Sequence, residues 1–510
     1  MSILVLDVGT TSMRGILYGR SGEKLAAAQF PNHPQFLAQG VVSESCRDWE
    51  ENTIAIIRSI LSEPGIDRGE IEAVAITSQR SSIIPVDRDG KPLMDTIMWQ
   101  DVRNKEICKE FSVRNKEVFA KTGARVNTVF SGSKMTWVRR ERPDIYRDVY
   151  KFVNIPEYIN YLMCSVYCSD YTYASRSSLM NLRDRVWDED MLALYEVSSE
   201  KLCTLKEPGS VVGLTTKDFE EKTGLPAGTK VIHAGGDQQC AAVGQGVTKT
   251  GNVEIVLGTG GFLMAACDEV PAGLTDDVIC NASAIAGKYV IEANILACSA
   301  AYDWAAHQLY GMKEVDYEFL ENELSSVEGV ADCLTIPYIK GRGVPDWNAN
   351  ASAAFTGITL STTRAEIFKS FMEGLFLEFR NHLDTFAKYV PLGSVYVSGG
   401  LTKSKVIDQL LADVTGQNII TRDDKEATAR GAYLVALVGL GYYPNVEEAI
   451  HAVPDQSETT QYFADPEKSA AYAEKQKRMN RSDLGPRGSL LQHSDNIQAR
   501  LTRPDKPPGQ

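Results

Sequence analysis

Apolar and polar positions follow two periods along this chain, and segments of the two kinds take turns. Short apolar runs of strand length occupy residues 3–8, 71–76, 231–236, 252–257 and 395–398. Runs this short, ended by glycine or small polar residues, favour buried strands over helices. Residues 48–61 carry apolar side chains at helical spacing, which predicts a helix capped by Asp48. Helices are also predicted over 238–243, 405–414 and 427–440, the last a small-residue, buried one, with a further strand at 418–420. The apolar run 83–86 ends in the turn Asp87-Arg-Asp-Gly90. Strand and helix patterns in alternation predict an α/β fold.

Two of these segments repeat one small device. Leu6-Asp-Val-Gly-Thr-Thr-Ser12 leads through Arg14 into a second apolar run, and Leu257-Gly-Thr-Gly-Gly261 leads into Phe262-Leu-Met264. Each reads as strand, Gly-Thr turn, strand. Such a turn offers open backbone N–H groups and a hydroxyl to a phosphate oxygen. Two of them could grip one polyphosphate, which suggests a duplicated, two-domain nucleotide-binding enzyme. A junction is expected near 244–251, where Gly and Lys cluster, giving domains 1–246 and 247–455 and a divergent tail, 456–510. From about Lys475 the tail is polar and is expected to be largely mobile.

Bulk properties narrow the classes. At 510 residues, 43% hydrophobic and 24% charged, the chain has the composition of an ordinary globular protein. A net charge of −14 argues against nucleic-acid or anionic-membrane partners. Neither a signal peptide nor a spanning segment is recognised, and the ten scattered Cys read as reduced thiols, so a cytoplasmic setting is expected. Zinc spacing and His-Glu-x-x-His are absent, as are the P-loop, Gly-x-Gly-x-x-Gly and Gly-x-Ser-x-Gly patterns.

Individual residues leave alternatives open. Asp7, at a strand end beside a phosphate turn, would either help to hold Mg²⁺ or cap its own turn. Arg14 would face the phosphates or lie on the surface of the hairpin. Asp237, in Gly235-Gly-Asp-Gln-Gln239, would serve as a general base or as a helix cap. Gly399 and Gly400 would admit a ring or ribose, or simply form a tight turn. The clusters around Thr77–Ser82 and Trp99–Arg103 lie at strand ends, where ligands bind in α/β sheets.

Taken in order and spacing, these motifs resemble the FGGY carbohydrate kinases over about residues 3–450. The carriers are the first hairpin, Phe130-Ser-Gly-Ser-Lys-Met-Thr-Trp-Val138, Pro337 to Trp347, Ala354-Phe-Thr-Gly-Ile358, Met372-Glu-Gly374, Gly235-Gly-Asp-Gln-Gln239, Gly258-Thr-Gly-Gly261 and Ser398-Gly-Gly-Leu401. The resemblance implies two RNase-H-like domains of the actin/Hsp70 ATPase type with a catalytic cleft between them. It implies transfer of the ATP γ-phosphoryl to a terminal hydroxyl of a small sugar or polyol, with a homodimer as one possible assembly.

By matching positions, Asp237 would be the base and Asp7 the Mg²⁺ contact. Thr10, Thr11, Ser12, Arg14, Gly258 and Thr259 would face the phosphates, and Ser299, Asp303, Gly399, Gly400 and Ser404 would border the rest of the nucleotide. Gln79, Arg80, Ser81, Trp99, Val129, Asp237 and Gln238 would surround the acceptor. The wording is nearest glycerol kinase, yet Ser81 stands where that branch has Glu and Val129 where it has Tyr. Two polyol contacts are thereby lost and volume is gained. A pentulose or a polyol larger than glycerol is therefore expected, with glycerol kinase as the alternative. A chaperone-like ATPase of the same fold is a distant third.

Overall fold

The computed structural model describes residues 1–424, 426–453 and 457–483. They divide into two compact units. The first comprises Met1–Lys249, Ala266–Ile291 and Asp424–Ser457; the second comprises Thr250–Ala265, Glu292–Asp423 and the described chain from Glu458. The first unit thus takes two segments from beyond residue 249.

In the first unit the central strand is Ser2–Val8, almost wholly buried. It pairs antiparallel with Ser12–Gly19 and parallel with Ile71–Ser78. The sheet order is Val211–Leu214, Lys230–Gly236, Ile71–Ser78, Ser2–Val8, Ser12–Gly19, Lys24–Pro31. Successive side chains of a strand point to opposite faces, so one strand serves two cores. Leu4, Leu6 and Val8 pack with Trp49, Ile56 and Ile60 of the helix Cys46–Leu61. Ile3 and Val5 pack with Ala432, Tyr433 and Ala436 of the helix Ala427–Gly439. Burial on both faces explains why the strand reads as a continuous apolar run rather than an alternating one.

The helix Cys46–Leu61 is capped by Ser45, whose hydroxyl accepts from the Arg47 amide, while the expected cap Asp48 lies in its first turn. There a carboxylate complements the positive end of the helix without closing it.

The helix Ala427–Gly439 lies against the helix Asp237–Gln245 through glycines. A Cβ on Gly244 would sit 2.0 Å from the Ala427 carbonyl oxygen, and one on Gly431 1.8 Å from that of Cys240. Arg430 donates to the Gly244 carbonyl at 2.8 Å across the same contact. This close packing fixes the chain just before it, including Glu426.

In the second unit the strands Gly261–Cys267, Val253–Leu257, Val395–Ser398, Ile419–Arg422 and Thr459–Tyr462 lie side by side in that order. The long helix Arg364–Phe386 opens with a capping box, Thr363 and Glu366. Lys475, expected to open a mobile tail, is instead buried within the helix Pro466–Asp483 and pairs with Glu373. The rest of the expected tail, 484–510, lies outside the described residues. No helix among the described residues is long and apolar enough to cross a membrane. None of the ten cysteines forms a disulfide, and all are buried.

Candidate functional site

The first hairpin has a turn fixed from several sides. The Gly9 amide donates to the Ser12 carbonyl at 3.0 Å. The Asn32 and Gln79 side-chain amides both donate to the Gly9 carbonyl, at 2.8 and 3.2 Å. The Trp99 indole donates to Thr10 Oγ1 at 3.1 Å, and Gln29 donates to Ser12 Oγ at 3.0 Å. Thr11 is left exposed at the tip. The turn's shape is therefore set by protein contacts, as a preorganised anion cradle requires.

Asp7 stands directly across the hairpin from Arg14. Burial pushes its carboxyl up to about 7; Asp237 and Glu426 push the same way, and Arg14 opposes them. Arg14 is held by an ion pair with Glu426, which Lys24 also approaches at 3.4 Å. The carboxylates Asp7, Asp237 and Glu426 thus share one field, with Arg14 and Lys24 at Glu426 and Arg80 at Asp237, and burial is the main reason that Asp7 is raised. That is an environment a divalent cation would relieve. Among the described residues no group of three or more His, Cys, Asp or Glu is arranged to hold a metal by itself.

Asp237 is the first residue of its helix, and its Oδ1 accepts from the Gln238 amide at 2.8 Å. The cap position is Gly236, without a side-chain cap bond, so Asp237 is not the helix cap; its carboxylate faces Arg80, with Nε 3.7 Å from Oδ1. The turn before it is fixed by buried groups. The Gly236 amide donates to Thr172 Oγ1 at 2.8 Å, and the Tyr173 hydroxyl donates to the Gly235 carbonyl at 2.8 Å. Thr172 and Tyr173 carry no motif and escaped the sequence reading.

Ser81 is buried, in a left-handed conformation (φ 71°), and its hydroxyl donates to the Arg176 carbonyl at 3.4 Å. Its neighbour Ser82 donates to Gln79 Oε1 at 3.2 Å and accepts from the Trp99 amide at 2.9 Å. Val129 and Gln238 are half-buried, and the Val129 amide donates to Asn127 Oδ1 at 2.9 Å. Arg176 lies 4.3 Å over the Phe130 ring. Asp7, Thr10, Ser12, Arg14, Gln79, Arg80, Ser81, Trp99, Val129 and Asp237 all lie in the first unit.

Gly258, Thr259, Ser299, Asp303, Gly399, Gly400 and Ser404 belong to the second unit. The second hairpin turn is held by the start of the helix Ser299–Tyr310: the Ser299 amide donates to the Gly258 carbonyl at 2.8 Å, and the Cys298 amide to that of Thr259 at 2.9 Å. Thr259 is exposed. Asp303 lies on that helix, half-buried. Gly399 adopts φ 111° and ψ 174°, a region essentially confined to glycine. Gly400 has open space where a Cβ would stand. Ser404 caps the helix Lys405–Thr415, its Oγ accepting from the Ile407 amide at 3.2 Å. Beneath the hairpin, buried Glu254 accepts from Ser398 Oγ at 3.5 Å, and burial pushes its carboxyl up to about 8.

Fold and site define the class: a two-domain α/β protein of the actin-like ATPase fold. The FGGY family of carbohydrate kinases, N-terminal domain, matches residues 2–244, and the C-terminal domain of that family matches residues 253–440. The chain belongs to the FGGY family of carbohydrate kinases, phosphotransferases with an alcohol group as acceptor.

It is 29% identical over 454 residues to a glycerol kinase of Thermococcus onnurineus, covering 88% of this chain and 90% of that protein. It is 27% identical over 465 residues to glycerol kinase 1 of Thermotoga maritima, covering 88% and 92%. Similar solved structures include a ligand-bound xylulose kinase from Lactobacillus acidophilus (TM-score 0.87, 22% identity, 95% of this chain and 99% of that one). Plasmodium falciparum glycerol kinase with ADP is another (TM-score 0.85, 23% identity, 95% and 98%).

Proposed function

We propose that this chain transfers the γ-phosphoryl group of ATP to a terminal hydroxyl of a pentulose or of a polyol larger than glycerol, with Asp237 as the general base. The observation that carries the reading is the Arg80–Asp237 pair, set beside the turn that Gln79 and Trp99 hold. In this reading Asp237 accepts the proton of the attacking hydroxyl, from a carboxylate whose position is fixed by the Gln238 amide. Arg80 orients the acceptor hydroxyls beside the base. Thr10, Thr11 and Ser12 present the first hairpin to the phosphates, and Gly258 and Thr259 present the second. Arg14 exchanges its Glu426 partner for phosphate oxygen. Asp7 would hold Mg²⁺, which when bound supplies charge neutralisation on the phosphates. Ser299, Asp303, Gly399, Gly400 and Ser404 border the nucleotide. Cytoplasmic ATP is the donor, and a homodimer is a possible assembly.

The larger acceptor rests on Ser81 and Val129. Ser81 turns its hydroxyl onto the Arg176 carbonyl, and Val129 offers no polar atom on its side chain. The names of the curated relatives favour glycerol as a second reading. The test is a panel of glycerol, erythritol, xylulose, ribulose, erythrulose and gluconate with coupled ADP detection. A pentulose or longer polyol should give the highest kcat/KM. Preference for glycerol would establish the second reading, and ADP release independent of every acceptor would remove both.

A further inference from the structure

The helix Ser131–Glu141 carries in its first turn a lysine with no access to solvent, Lys134. Its ammonium donates to three backbone carbonyls: Val129 at 2.5 Å, Thr128 at 2.7 Å and Trp99 at 3.4 Å. An ammonium has three donors, so its capacity is matched by oxygens drawn from two separate loops. Burial pushes the group down to about 7, and Asp101 is the main charge opposing that. Asp101 is itself fully buried, accepts from the Val42 amide at 2.6 Å and pairs with Arg103 at 2.8 Å. Arg103 in turn lies 4.8 Å over Trp137, on the helix that bears Lys134.

A buried cation is expensive to keep unless its hydrogen bonds hold something that matters. What this one holds is specific. Val129, next to Thr128 in the chain, and Trp99 both belong to the proposed acceptor site. The Thr128 carbonyl takes a second bond from Asn104 at 3.1 Å, and Asn127 accepts from the Val129 and Phe130 amides. The Trp99 indole continues to Thr10 in the first phosphate turn. One side chain therefore links the Val129 loop, the Trp99 loop and, through Trp99, the phosphate hairpin.

We propose that Lys134 is the positioning residue of the acceptor site, setting the distance between Trp99 and Val129 and so the affinity for the acceptor hydroxyls. The proposal rests on the acceptor assignment made above. A methionine of similar length would leave the same space filled, take the Lys134 donor from the Trp99 and Val129 carbonyls, and leave the Thr128 carbonyl with Asn104 alone.

The experiment compares the full-length wild-type chain with Lys134→Met by hydrogen exchange and by steady-state kinetics on the best acceptor. Exchange over residues 98–102 and 126–131 should accelerate at least about tenfold, with the strand Ser2–Val8 unchanged. The acceptor KM should rise at least about tenfold while the ATP KM stays within about twofold. Unchanged exchange in both loops overturns the proposal. If Lys134→Met fails to fold, Lys134→Gln, which keeps two N–H donors, carries the same measurements. Val129→Trp separates the positioning role of Lys134 from the acceptor assignment. If it shifts the acceptor KM and Lys134→Met does not, the positioning role is wrong and the acceptor site stands. If neither shifts it although exchange accelerates, the acceptor assignment is wrong and the positioning role falls with it.

Discussion

Gly399 is the position where a single added carbon tests the second unit most sharply. Its φ of 111° and ψ of 174° lie where only glycine is comfortable, which costs any other residue about 1–3 kcal/mol. The space is closed as well. A Cβ there would stand 2.5 Å from the Leu257 carbonyl oxygen, 2.6 Å from its carbonyl carbon and 2.8 Å from its nitrogen. All three are backbone atoms of the strand Val253–Leu257, which leads straight into the Gly258–Thr259 turn. No rotamer change relieves such an overlap; the strand must move.

Gly399→Ala should therefore cost roughly 2–4 kcal/mol in total, shared between fold stability and displacement of the turn. Thermal unfolding and the ATP KM, measured together, divide the two shares, and a KM rise of about tenfold corresponds to about 1.4 kcal/mol. Gly400→Ala is the control. It has no neighbour within 4 Å and no positive φ, so its melting temperature should not change. A raised ATP KM in that variant alone would mark where the nucleotide passes. A Gly399→Ala protein with wild-type melting temperature and ATP KM would show that neither the strain nor the overlap at Gly399 is real.

Other expectations follow from buried charge and from the candidate acceptor loops. Lys475→Met should destabilise the fold by about 3–5 kcal/mol in denaturant unfolding, because it leaves Glu373 buried with only Tyr472 and the Ala331 amide. The double change with Glu373→Gln should recover much of the loss, and failure to do so would show that the ion pair is not the cause. Asp7, raised to about 7, is neutral below that pH, and a cation binds only its ionised form. The Mg²⁺ concentration needed for half-maximal activity should therefore rise about tenfold per pH unit below 7 and level off above it. A flat Mg²⁺ requirement between pH 6 and 8 would remove Asp7 from the metal site. Val129→Tyr should lower the glycerol KM several-fold by supplying a hydroxyl, and an unchanged value would show that the loop does not reach the acceptor.

Strands and turns were legible wherever one local rule decided them. The run 3–8 had to be a strand because both faces are buried, and Gly9 had to begin a turn. Asp237 was visible because Gly235 and Gly236 precede a helix. The remainder depends on contacts that sequence separation hides. Asp48 looked like a cap, but Ser45 was better placed to accept from the Arg47 amide. Glu426 carries no motif in the sequence, yet the structure pairs it with Arg14, 412 residues away. Lys134 was within view in the Phe130–Val138 motif, where a lysine flanked by Ser131, Gly132 and Ser133 on an otherwise buried helix start was the available signal. Reading it required the carbonyls of Trp99 and Val129, which no periodicity reveals.

In the proposed reaction Asp237 is the base of a phosphoryl transfer to an alcohol. Asp237→Asn keeps the size and the acceptor oxygen that serves the Gln238 amide, and it removes the basicity. Coupled ADP release on the best acceptor, with nucleotide binding followed by calorimetry on the same preparation, tests it directly. kcat should fall at least about a hundredfold, with the ATP Kd within about threefold of wild type. Retained turnover in Asp237→Asn would contradict that role.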